Sequence, residues 1–124
     1  SSLHILLVDD EASIRSAAAI YLRRCGHTVS TASDGLDALE QFGESADSID
    51  LVITDISMPR LDGPALVERL RAARPQLPVL LSSGYGETNG RPQITADVPL
   101  LAKPYSFDEL VGAISQVMSR SGVG

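Results

Sequence analysis

Short apolar runs alternate with stretches of helical period along the whole chain, and this alternation predicts a doubly wound α/β fold. The runs are residues 3–8, 28–32, 51–54, 78–82 and 98–102. Strands that alternate with helices form a parallel sheet with right-handed crossovers and helices on both faces. The makeup of the runs agrees. The first, third, fourth and fifth are almost wholly apolar, as strands covered on both faces must be. The second, Thr28-Val29-Ser30-Thr31-Ala32, is polar enough for a sheet edge. A parallel five-stranded sheet of order 2-1-3-4-5 satisfies both observations. It sets the first and third strands side by side where the strand order reverses, the place where such sheets bind ligands.

The first run ends at Asp9-Asp10. A helix follows, with Ile14, Ala17, Ala18, Tyr21, Leu22 and Cys25 on one stripe of helical spacing. Gly26 is placed to stop it. Cys25, on that stripe, reads as a small buried hydrophobe. After the second run, a helix begins near Asp34 and uses Leu36, Leu39 and Phe42. The third run ends at Asp55. The helix after it uses Leu66, Val67 and Leu70, with Pro64 in its first turn and Pro75 beyond its end. The fourth run leads to Ser83 and then to a stretch with three glycines and a proline, Gly84 to Pro92. Those residues disfavour a helix interior. A fourth helix is therefore expected to be short, late or mobile, over about residues 92–97. The fifth run ends at Lys103, the only lysine. The final helix uses Phe107, Leu110, Val111, Ile114, Val117 and Met118. Ser106 and Glu109 carry a capping box for it. His4, on a strand, and His27, in a turn, read as structural.

Length and composition bound the function. The chain has 124 residues and reads as a single domain over residues 1–124, with 119–124 as a tail or linker. It can bury roughly two-thirds of its unfolded surface, which suffices for a core. The lone cysteine excludes an internal disulfide and a Cys-rich metal site. Net charge is −6, and the nine arginines are scattered, so direct nucleic-acid binding is not expected. No apolar run approaches the 18 or so residues of a membrane span, and no export signal is visible. A cytoplasmic setting is expected.

The chemistry lies in the residues that close the apolar runs. The predicted strand order gathers Asp9, Asp10, Asp55, Ser83 and Lys103 at one edge of the sheet. Carboxylates crowded this closely repel unless a cation stands among them. An all-oxygen donor set with no Cys or His suits Mg²⁺, with Mn²⁺ an alternative, rather than zinc. Asp9, Asp10 and Asp55 can supply carboxylates, and the backbone carbonyl of Ser57 can complete the set. A metal-bound carboxylate is also a nucleophile toward phosphorus. A lysine and a hydroxyl such as Ser83 can then hold phosphoryl oxygens.

These residues and their neighbours resemble the receiver domain of bacterial two-component response regulators. The motifs are Ile5-Leu6-Leu7-Val8-Asp9-Asp10-Glu11, Asp55-Ile56-Ser57-Met58-Pro59-Arg60-Leu61-Asp62-Gly63, Pro78-Val79-Leu80-Leu81-Ser82-Ser83-Gly84 and Lys103-Pro104. The resemblance implies a flavodoxin-like, CheY-like (βα)5 fold. It also implies that Asp55 accepts phosphoryl from a phosphohistidine on a histidine kinase or histidine phosphotransfer domain, and later loses it to water. The chain then catalyses its own phosphorylation and dephosphorylation without being a conventional enzyme. Asp10 binds Mg²⁺ directly in this reading, and Asp9 through water or weakly. Ser57 gives its carbonyl, and Ser83 and Lys103 fill the family's hydroxyl and lysine positions. A monomer or weak homodimer that contacts no membrane is implied, and the C-terminal context resembles receivers of hybrid sensor kinases.

Two features depart from the family pattern. Leu100 stands where many receivers carry an aromatic switch residue, leaving Tyr85 or Tyr105 as the nearby aromatics. The Gly/Pro-rich segment falls on a face that often signals output. Other functions fit less well. A phosphatase with an aspartyl nucleophile places a second acid where Ser57 stands. A flavodoxin-like cofactor site needs a phosphate cradle after the first strand, and Asp9-Asp10-Glu11 repels phosphate. A degenerate receiver used only for contacts does not require all five strand-end residues.

Overall fold

The structure is a computed structural model that describes residues 2–84 and 98–120. Its strands are β1 (His4–Val8), β2 (Thr28–Ala32), β3 (Leu51–Asp55), β4 (Val79–Ser83) and β5 (Leu100–Ala102). They form one parallel sheet of order β2-β1-β3-β4-β5, as the pattern of runs predicts. The described helices are α1 (Ala12–Arg24), α2 (Gly35–Ser45), α3 (Gly63–Ala73) and α4 (Phe107–Arg120). The helix expected over about 92–97, and Tyr85, lie outside the described residues. Among the described residues, no helix is long and apolar enough to cross a membrane.

Strand alternation divides the core into two layers. Leu6, Val8, Val52, Val79 and Leu81 face one side, where they pack with Phe42 of α2 and Leu66 and Leu70 of α3. Ile5, Leu7, Leu51, Ile53, Leu80 and Leu101 face the other, against Leu22 of α1 and Leu110 and Ile114 of α4. Both faces of the central strands are thus apolar, which explains why their runs are unbroken. Asp55 is the odd-numbered continuation of Leu51 and Ile53, so it emerges at the end of the α1/α4 face.

Local signals end the helices as expected. Gly26 takes φ +97 just beyond α1, a conformation open to glycine. The Asp34 and Asp62 carboxylates cap α2 and α3 by accepting the N–H groups of Asp37 and Ala65. Ser106 and Glu109 form the reciprocal box at α4, each backbone N–H donating to the other's side chain at 2.8 and 3.0 Å. Such a cap contributes about 1 kcal/mol. The helix runs to Arg120, into the stretch 119–124 expected as a tail, because buried Val117 and Met118 anchor its last turn. Both histidines are tied into the fold, His4 beside the Ser30 and Ser48 hydroxyls and His27 accepting the Leu3 N–H.

Four packing expectations are corrected. β5 is the other edge of the sheet and is covered on one face only, with Leu100 and Ala102 exposed. Cys25 is exposed, not buried. The buried residues of α1 are Ala18, Ala19 and Leu22, so its inner face is rotated from the expected stripe. Ala17 falls outside that face, and Cys25 lies beyond the last helical residue, at the cap. In α2, Gly35, Ala38 and Phe42 are buried while Leu36 in the first turn is exposed. In α4, Phe107 and Val111 are exposed. Phe107, at the helix start, stacks on Tyr21 with ring centroids 4.2 Å apart.

Candidate functional site

Asp55 ends β3 and is 4% exposed, and Asp9, directly after β1, is 2% exposed. The pairing of β1 with β3 brings them together. Asp10 is exposed beside them. One carboxylate oxygen from each of the three lies within 4.8 Å of the others. Lys103, directly after β5, reaches into this group. Its Nζ lies 2.6 Å from Asp55 Oδ1, 3.1 Å from Asp9 Oδ2 and 3.7 Å from Glu11 Oε1.

The backbone fixes these positions. The Lys103 N–H donates to the Ser83 carbonyl at 2.7 Å, which fastens the end of β5 to the end of β4. The Asp9 carboxylate also accepts the Glu11 N–H at 2.8 Å. On the far side of Asp55, a Cβ at Gly63 would overlap the Asp55 carbonyl oxygen. Only glycine lets α3 start this close to the Asp55 backbone.

The electrostatics are unbalanced. Burial, aided by the neighbouring Asp9 carboxylate, pushes Asp55 up to about 7, although hydrogen bonds from Lys103 and Ser82 act against the shift. Burial also acts on Lys103, but its hydrogen bond to Asp55 and the charges of Asp55 and Asp9 hold its pKa above the ordinary value. Three carboxylates with one lysine among them leave negative charge in excess, and the donors are all oxygen. This set fits a hard divalent cation such as Mg²⁺. A cleft of about 500 Å³, lined by Asp10, Asp55, Ser57 and Lys103 among others, opens above it.

The chain matches the model of the response regulator receiver domain over residues 5–115. It belongs to the receiver domain family of two-component systems. Its curated relatives include a sensor kinase CckA of Brucella abortus, 33% identical over 121 residues, 96% of this chain and 13% of that protein. Protein PilG of Pseudomonas aeruginosa is 37% identical, over 90% of this chain and 84% of PilG. The receiver spans only 13% to 28% of the first relatives it matches. Among solved structures, a receiver domain protein from Clostridium thermocellum superposes with a TM-score of 0.87 at 30% identity, covering 98% of each chain. The receiver domain of the hybrid histidine kinase CckA gives 0.80 at 37% identity, covering 93% of this chain and 98% of that one. Receiver domains of two-component systems act with histidine kinases or phosphotransfer proteins, so this chain is a module of phosphorelay signalling.

Within the receiver, the structure gathers Asp9, Asp10, Asp55 and Lys103 at the predicted edge, with Ser57 on the wall of the cleft and Ser83 buried at the end of β4. One side chain joins them that the sequence reading does not single out. The Ser82 hydroxyl donates to Asp55 Oδ1 at 2.7 Å. The parallel register pairs Asp55 with Ser82.

Proposed function

We propose that this receiver takes a phosphoryl group from a phosphohistidine onto Asp55. An Asp55 carboxylate oxygen forms the new bond to phosphorus, the histidine nitrogen–phosphorus bond breaks, and its electron pair returns to the imidazole. Asp9, Asp10, Asp55 and the Ser57 carbonyl would hold Mg²⁺, which supplies neutralisation of phosphoryl oxygen charge when bound. Lys103 offsets the charge of the buried carboxylate and is in reach of an incoming phosphoryl oxygen, since its Nζ already touches Asp55. The family resemblance gives Ser83, the last residue of β4, as the hydroxyl for another phosphoryl oxygen, while strand alternation turns Ser82 to the Asp55 side. Water later takes the phosphoryl group away, so the domain catalyses both loading and loss. The observation that carries this reading is the buried Asp55 carboxylate held 2.6 Å from Lys103 with two further carboxylates alongside. Similarity to the receiver of a hybrid histidine kinase supports a histidine kinase or phosphotransfer domain as donor.

Intact-mass measurement with Mg²⁺ and acetyl phosphate tests the assignment. The chain is expected to gain one labile phosphoryl group, in a Mg²⁺-dependent manner, and Asp55→Asn to gain none. An unchanged wild-type mass, or a phosphoryl gain that survives Asp55→Asn, would overturn it.

A further inference from the structure

Two adjacent serines end β4, and strand alternation sends them to opposite faces. Ser82 continues the series of Leu80 and shares a face with Asp55, while Ser83 belongs to the other series. Both Ser82 and Asp55 are almost fully buried, at 3% and 4% exposure. Asp55 Oδ1 therefore accepts from two donors, the Ser82 hydroxyl at 2.7 Å and Lys103 Nζ at 2.6 Å. They differ in freedom. Lys103 acts from a long flexible stem and can turn toward a new anion. Ser82 acts from a one-carbon side chain on a strand paired on both edges, so its hydroxyl stays with the carboxyl group.

We propose that Ser82 is a positioning residue that shortens the life of the phosphoryl group on Asp55. This rests on Asp55 being the acceptor. With Oδ1 occupied by its donors, Oδ2 is the oxygen that forms the bond to phosphorus, and Oδ1 becomes the carbonyl oxygen of the acyl phosphate. In hydrolysis, the oxygen of water bonds to phosphorus. The bond between phosphorus and Oδ2 breaks with its electron pair going to Asp55, and the water's protons leave with inorganic phosphate or to solvent. Negative charge thus returns to the carboxylate as the bond breaks, and it is shared by Oδ1. A donor fixed on Oδ1 binds that charge more strongly than it binds the neutral carbonyl, so it lowers the barrier to hydrolysis. The same hydrogen bond stabilises the free carboxylate against attack on a donor, so it also restrains loading. Ser82 thereby biases both directions toward the unphosphorylated state.

The test loads the full chain with acetyl phosphate and Mg²⁺, removes the donor by rapid desalting, and follows decay by intact mass. Ser82→Ala is expected to lengthen the half-life about three- to tenfold, the range of a typical net hydrogen-bond contribution. Its initial loading should be no slower than in the wild type. Ser82→Thr, which keeps the hydroxyl, should decay at the wild-type rate. A merely structural serine would predict the contrary: impaired loading and unchanged decay in Ser82→Ala. Decay in Ser82→Ala as fast as wild type, or slowed equally in Ser82→Thr, would overturn the inference while leaving Asp55 as acceptor. A wild-type chain that gains no mass would overturn the Asp55 assignment itself, and this inference with it.

Discussion

Two buried aspartates each face a basic side chain, yet they are held in opposite ways. Asp34, at the start of α2, accepts a two-pronged pair from Arg60, with Nε–Oδ2 at 2.7 Å and Nη2–Oδ1 at 2.9 Å. It also caps its helix through the Asp37 N–H. The Arg60 hydrogen bonds, followed by that backbone donor, hold its carboxyl below the ordinary range. Asp55, with Lys103 at 2.6 Å, is instead held above it, because burial and Asp9 outweigh the lysine. A basic partner alone therefore does not decide the state of a carboxylate. Asp34 has one matched partner at the protein's rim, and Arg60 remains 56% exposed at its side chain. Asp55 shares its partner with a second buried acid, which leaves charge for something else to neutralise. The first arrangement fastens a loop to a helix, and the second leaves negative charge in excess at the sheet edge.

Removing each basic partner is the strongest way to break this contrast. Lys103→Ala leaves Asp9 and Asp55 buried without it. We expect a loss of about 3 kcal/mol at pH 8 in EDTA by urea denaturation, the low end of the cost of orphaning a buried ion pair. Millimolar Mg²⁺ should return part of it by mass action. Arg60→Ala should shift the same midpoint by only a small fraction of that amount, since its pair is screened by solvent. Equal shifts would erase the difference between the two sites.

The pH dependence sharpens the contrast further. An unfolded aspartate titrates near about 3.9. Asp55, raised to about 7 in the metal-free fold, binds its proton more tightly when folded. Its contribution therefore makes stability fall as pH rises from about 4 to 7. Asp34 has the opposite sign. Its stabilisation is present above the unfolded value and is lost as pH falls through its lower folded value. Urea midpoints in EDTA should accordingly decline between pH 5 and about 7, and Asp55→Asn should flatten that decline while leaving the loss below about pH 4 in place. A decline unchanged in Asp55→Asn would show that another group causes it.

The same two sites show what a sequence reveals. Asp9, Asp10, Asp55 and Lys103 were legible because each closes an apolar run, and a parallel sheet aligns its strand ends whatever the detailed register. The strand order was legible because β2 alone is polar. Ser82 was not. In a strand buried on both faces, the apolar pattern has no parity, and only the pairing of Asp55 with Ser82 decides which of two serines turns toward the carboxylate. Cys25 failed for a related reason. A stripe rich in alanine marks a helix face loosely, and the face that packs is centred on Ala18, Ala19 and Leu22. The Asp34–Arg60 pair joins residues 26 positions apart through side-chain reach, for which local pattern holds no signal.

Gly63 closes the question of how firmly Asp55 is seated. Its missing side chain lets the first turn of α3 rest directly on the Asp55 carbonyl, and its own N–H donates to the Ile56 carbonyl at 2.7 Å. The joint between β3 and α3 therefore has no slack. In mechanical terms it is a butt joint rather than a hinge: a push on the backbone of Asp55 meets the end of α3 without a gap in which to be absorbed.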